Sequence, residues 1–171
     1  MPDLPAWVAA DKSLGVSPIW SGPDQGDGHM VFVVAVAIRD SVVEGPMLRG
    51  GCYVHRPEDA MMFQLEYAPL AGRRRLPLAR LDWRPANPGH KNPRTGAAPH
   101  AGRFIESSHL HPFELNWLGA EGRMRAGNLP FAVPMSPDPR TFRELLDFAG
   151  SAFRLSGMDL IEPPKWPSRL V

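Results

Sequence analysis

The sequence predicts an α+β fold, an antiparallel β-meander of about four to six strands with one C-terminal amphipathic helix packed on a face. Three observations predict it. Between residues 30 and 83, four apolar segments of strand length follow one another, rich in β-branched residues or strict alternation. The breaks between them are short, as hairpin connections are. Only one segment, late in the chain, repeats its apolar residues at helical spacing.

Residues 1–28 are rich in Pro, Gly and Asp and read as irregular, apart from a short helix over 6–12 and turn material at 22–28. The nine-residue apolar run 30–38 suits a strand buried on both faces. The segment 47–55 is a second strand, in which Gly50 and Gly51 mark a bulge or a close backbone approach. In 61–67, Met61, Phe63, Leu65 and Tyr67 alternate, the pattern of a half-buried strand. The segment 76–83 is a fourth, where Pro77 requires a strand start or an edge.

Residues 84–102 hold four prolines and three glycines and read as a long structureless loop. Short extended pieces are expected at 103–106, 110–115 and 131–133. The helix follows, with Asp138 as N-cap, Pro139 in its first turn and Gly157 beyond its end. Phe142, Leu145, Leu146, Ala149 and Phe153 form its core-facing stripe. The Pro-rich tail 158–171 ends the chain without regular structure.

The 171 residues suit one domain, and a 43% hydrophobic content supplies a core. With 20 Pro and 16 Gly the chain stays below the proportion typical of disorder, which excludes collagen-like, coiled-coil and unfolded classes. The lone Cys52 forms no internal disulfide, and a buried, inert thiol is expected. That cysteine usage, with no basic–apolar leader and no apolar run approaching 20 residues, points to a cytoplasmic chain outside the membrane.

The net charge of +1 hides an asymmetry. Residues 73–103 carry Arg73, Arg74, Arg75, Arg80, Arg84, Lys91, Arg94 and Arg103 against Asp82 alone. Such a concentration attracts phosphates, so RNA or DNA is the first partner to consider. Trp83 and Phe104 are placed to stack bases, and Asn87 and Asn92 to bond base edges. The bland alternative is solvated charge on a turn and an edge strand, or contact with an acidic protein.

Four of the six histidines lie between residues 90 and 111: His90, His100, His109 and His111. On an extended backbone, His109 and His111 share a face, about 6.5–7 Å apart along the strand. Two chemistries follow. The pair can work as acid and base on a phosphodiester, helped by His100 and Arg103. Alternatively, with His90 or His100 and a carboxylate from Glu106 or Glu114, it can hold a divalent metal that activates water. Against both stands a structural role, with the imidazoles bonded to irregular backbone.

No P-loop, dinucleotide loop, HExxH or GxSxG motif is present. The functional expectation is therefore a nucleic-acid-interacting protein using 73–103, with histidine-based phosphodiester cleavage. Its alternatives are a non-catalytic interaction module (inhibitor, antitoxin or assembly factor) and a histidine–metal hydrolase.

Overall fold

In the computed structural model, which describes residues 3–39, 41–56, 58–68, 75–87, 89–96 and 100–166, the four apolar segments form the centre of a mostly antiparallel sheet. The chain runs α1 (Leu4–Ala9), β1 (Lys12–Ser13), β2 (His29–Ile38), β3 (Ser41–Tyr53), β4 (Met61–Tyr67) and β5 (Leu76–Trp83). Then come β6 (His90–Lys91), β7 (Phe104–Ile105), β8 (His109–His111), α2 (Phe113–Asn116), β9 (Trp117–Leu118) and β10 (Arg123–Met124). Last are β11 (Val133–Pro134), α3 (Phe142–Phe153) and β12 (Leu155–Ser156).

The main sheet has eight strands in the order β11-β8-β5-β4-β3-β2-β1-β12, more than the four to six expected. The additional ones are two- and three-residue pieces at its edges, too short to carry a periodicity. At one edge the two ends of the chain meet, where β1 pairs parallel with β12, Lys12 opposite Leu155. The two remaining pairs, β6–β7 and β9–β10, lie outside the main sheet.

Alternation along the strands sends one set of side chains into a core shared with α3. Phe32, Val34 and Val36 of β2, Leu48 of β3, Phe63 and Leu65 of β4, and Leu81 and Trp83 of β5 are buried there. So is the whole expected stripe of α3. Burial of each such side chain contributes roughly 1.5–3 kcal/mol, so truncating Leu145 or Phe63 would cost several. The run 30–38 is buried on one face only, its other face being half-covered, which corrects the expectation of two buried faces. Gly50 is a close approach within an unbroken strand: a Cβ there would overlap the Phe32 ring on the neighbouring strand. The bulge lies elsewhere, between Ala35 and Ala37. Pro77 stands at the start of β5, beside a register shift, in a strand that is paired on both sides.

Several boundaries differ from expectation. The first helix is Leu4–Ala9, capped by the Asp3 carboxylate, and Lys12 lies in a strand with its ammonium donating to the carbonyls of Trp7, Val8 and Ala10. Residues 84–102 are not wholly irregular, because His90 and Lys91 pair with Ile105 and Phe104. The extended piece expected at 110–115 ends at His111, where Pro112 caps the single turn of α2. The helix α3 is capped by Thr141, which accepts from the Glu144 amide, while the Glu144 carboxylate returns to the Arg140 amide. It ends at Arg154, in the left-handed region at φ 52°, because the chain turns there at once into β12. Gly157, also left-handed, opens a 3₁₀ turn, Met158–Leu160, in the tail expected to lack regular structure. No described helix is long and apolar enough to cross a membrane.

Candidate metal centre

The face of the sheet opposite α3 carries polar side chains. In β5, Leu81 and Trp83 point into the core, so Arg80 and Asp82 stand on the other face. The three residues of β8 divide the same way, Leu110 inward and His109 and His111 outward. The β5–β8 register sets Arg80 opposite His111 and Asp82 opposite His109. The hairpin β6–β7 brings His90 to the same place, its ring centroid 4.7 Å from that of His111 and 5.4 Å from that of His109. One nitrogen from each of the three imidazoles lies within 4.8 Å of the others.

Each ring commits a nitrogen to a backbone carbonyl. His109 Nδ1 donates to Ser107 at 2.9 Å, His111 Nδ1 to Leu129 at 2.6 Å and His90 Nε2 to Pro130 at 2.8 Å. A carbonyl only accepts, so these nitrogens carry the hydrogens, and in the neutral rings the other nitrogen has a lone pair. For His109 and His111 that nitrogen is Nε2, at 3.4 and 3.2 Å from Asp82 Oδ2. Arg80 supplies two donors, Nε to Asp82 Oδ2 at 2.9 Å and Nη2 to His111 Nε2 at 3.0 Å. Asp82 Oδ1 takes part in none of these contacts. The cluster is therefore rich in acceptors and short of positive charge.

Its second layer is a clamp on residues 129–132. The Leu129 and Pro130 carbonyls hold His111 and His90. The next two residues are held from both sides by buried amides: Asn116 exchanges two hydrogen bonds with Phe131, and Asn92 two with Ala132. Ahead of the clamp, Asn128 and Leu129 have φ of 55° and 62°, left-handed conformations costly for non-glycine residues. That strain aims the carbonyls that fix two of the three imidazoles.

Electrostatics keep the donor atoms in their metal-binding forms. Burial lowers the pKa of His111 and prevails, although the hydrogen bond and charge of Asp82 oppose it by more than the Arg80 charge and His109 add to it. Burial likewise lowers that of His90, with His109 and Arg80 contributing. Asp82 is also desolvated, which favours its neutral form, but hydrogen bonds that His109 and His111 give it when their rings carry a second proton, and the Arg80 charge, hold its carboxyl far below the usual range. At His90 and His111 the shift favours the neutral imidazole, the form that ligates.

Of the residues singled out in the sequence, His109 and His111 come together, and His90 is the third imidazole. His100 is outside this group and is tied in through its carbonyl, which accepts from Asn92. Arg103, Glu106 and Glu114 are exposed, and the carboxylate at the centre is Asp82. Its signal was the strand pairing of R-x-D spacing against H-x-H, legible only once β5 and β8 are known to be neighbours.

The basic stretch is dispersed. Arg73 and Arg74 lie outside the described residues. Arg75 pairs with Glu66 at 3.0 Å, and Arg80 is in the cluster. Arg84 donates to the carbonyls of Glu58 and Arg140 and lies over the Trp83 ring. Lys91, Arg94 and Arg103 are exposed on and around β6–β7, as is Phe104. Trp83 stacks no base: it is fully buried, with Nε1 bonded to the Pro139 carbonyl. Asn92 is likewise buried and spent on the backbone. Cys52 is buried, its thiol pushed up to about 12 by desolvation, so it is no nucleophile.

Comparison of the chain with protein-family models, with curated proteins and with solved structures returns no match.

Proposed function

We propose that His90, His109 and His111 hold a divalent transition-metal ion beside the Asp82 carboxylate, and that the protein is a metal-dependent hydrolase. The observation that carries this reading is the surplus of acceptors: imidazole lone pairs face an ionised carboxylate, with Arg80 the one cation bonded there among the described residues. Three imidazoles would suit zinc first among the common ions and would leave a position for water. Asp82 Oδ2 stands at 3.2 and 3.4 Å from the Nε2 atoms of His111 and His109, beside that position. The backbone carbonyls behind each ring are the outer partners such ligands use to fix their tautomer.

The chemistry is water activation. A bound ion would supply an acidified water. Asp82 would accept a hydrogen bond from that water and relay its proton to the leaving oxygen as the water oxygen bonds to the ester centre and the bond to the leaving oxygen breaks. An open cleft of about 420 Å³ reaches the site at Arg80 and Asp82, while the three imidazoles lie behind them, outside its lining.

The test is metal content by mass spectrometry after dialysis, with zinc titration against a competing chelator. One equivalent per chain is expected, and it is lost in the His109→Ala, His111→Ala double variant. Equal zinc binding by the wild type and that variant would overturn the reading. So would ester cleavage that persists in excess chelator, which would favour the metal-free acid–base pair.

A further inference from the structure

Resting on the hydrolase reading, we infer that the substrate is single-stranded nucleic acid, laid along a groove that runs from Asp82 across the rings of His29, Tyr53 and His55. The cleft beside Asp82 adjoins a second of about 750 Å³, and the two share Tyr53 and Ala86 as walls. The groove therefore starts at the reacting centre and continues past the end of β3.

Its floor follows from the sheet register. Asp82 pairs with Met62, and Met62 with Gly51. Gly51 leaves the floor low where the groove meets the rings, since a Cβ there would stand 3.1 Å from His29 Nε2. Beyond it the rings form a row, His29 to Tyr53 at 5.0 Å and Tyr53 to His55 at 5.8 Å. The rings are tilted by 45° and 50° to their neighbours, so they are not closed face to face. Duplex bases are stacked 3.4 Å apart per strand, closer than this row can match. Bases drawn apart in a single strand fit it, each with a ring to stack on.

The polar groups suit the same occupant. Arg80 at the metal end and Arg56 at the far end are cations for phosphates, and Asn87 and Asn128 offer amides to base edges. The acidic residues of the far wall are partly spent on their own loop, Asp24 accepting from Gly26 and Asp27 from His29. Placing the scissile phosphate at the centre sets the next bases over His29 and Tyr53. In the cleavage, water oxygen bonds to phosphorus and the phosphorus–oxygen bond to one sugar breaks. The products are a phosphomonoester and a free hydroxyl, the water's proton ending on the sugar oxygen through Asp82, with no other reactant needed.

The test uses zinc-loaded full-length protein with three probes: a labelled single-stranded ten-mer, the same sequence as a duplex, and bis(p-nitrophenyl) phosphate. Cleavage of the single strand at least tenfold faster than the duplex is expected. Tyr53→Leu and His55→Ala should each raise the single-strand KM about tenfold while retaining one zinc per chain. Hydrolysis of the small diester without cleavage of the single strand would overturn the inference and leave the hydrolase standing. An unchanged KM in both variants would overturn it too. Zinc-loaded protein inert to all three probes would remove the hydrolase reading and the inference with it.

Discussion

Two carboxylates, Glu66 and Asp82, stand on the same face of the sheet and differ in exposure, 1% against 20%, and in how many donors reach them. Glu66, 1% exposed, accepts four hydrogen bonds: two from Arg49, one from Arg75 and one from Gln64. Both of its oxygens are satisfied, and the network is closed. Between the two runs a polar row in which Arg49 pairs with Gln64, Gln64 with Arg80 and Arg80 with His111; Glu66 flanks it on one side and Asp82 on the other. Asp82 receives one arginine nitrogen, and the other groups near its Oδ2 are imidazole nitrogens whose hydrogens point elsewhere. A buried charge placed for stability alone is expected to be saturated with donors, as Glu66 is. The shortfall at Asp82 is what a cation would fill.

The sharpest way to break the comparison is to remove an acceptor while keeping the fold. His111→Asn retains a side-chain donor in the place of Nδ1, able to bond the Leu129 carbonyl, but deletes Nε2. Zinc affinity should fall by about a thousandfold, ~4 kcal/mol, with a urea midpoint close to the wild type. His111→Leu should lose the metal and the clamp together. Matching zinc affinities in wild type and His111→Asn would make the cluster structural.

The closed network should behave oppositely. Glu66→Ala leaves Arg49, Arg75 and Gln64 without their shared acceptor and should cost about 3 kcal/mol, discounted because both arginines are partly exposed. For a chain of this size that lowers Tm by roughly 6–12 °C. Zinc affinity should stay within about twofold. A large loss of zinc binding in Glu66→Ala would show that the two networks are coupled, and the comparison would fail.

How much of this was legible follows from the length of each signal. The stripe from Phe142 to Phe153 is long and periodic, and every member of it is buried. Its start was misread because Asp138 and Pro139 are good cap residues, while the Thr141–Glu144 pair that makes the cap was passed over. The alternation in β4 and the H-x-H of β8 were visible because strand period is local. Asp82 was not, since only the pairing of two strands 27 residues apart makes it a neighbour of His109. Asn92 and Asn116 were invisible for the same reason: their role is to replace a strand's hydrogen bonds for residues 131 and 132, and nothing local marks that. Arg75, Arg80 and Arg84 looked like a surface patch because sequence proximity does not say what a guanidinium is already bonded to.

Arg80 sharpens the comparison, because it is the one cation now serving the open site. Its Nη2 lies on the His111 lone pair that a metal would use, and its charge opposes that of an incoming ion. Arg80→Met should weaken the metal-free protein by about 1 kcal/mol and raise zinc affinity about tenfold, ~1.4 kcal/mol, in the chelator titration. The equivalent change at Arg49 should cost stability with no gain in zinc binding. A fall in zinc affinity in Arg80→Met would mean that Arg80 positions Asp82 more than it competes for His111.

The smallest effect is that of pH on the metal-free protein. The pKa values of His90 and His111 are lowered in the folded chain from an ordinary 6.5, chiefly by burial. Over the interval below 6.5 the unfolded chain therefore binds more protons than the folded one. Stability is full above that value and declines as pH falls through the depressed folded values. Asp82, ordinarily near 3.8 and held far lower, extends the decline into acid. Zinc must be displaced before the rings protonate, so saturating zinc should raise the midpoint at pH 7 and steepen its fall towards pH 5. His111→Asn should flatten both profiles, whereas Glu66→Ala should lower them without changing their shape between pH 7 and 5. A zinc-independent profile would mean that protons, not a metal, are the partner of these lone pairs.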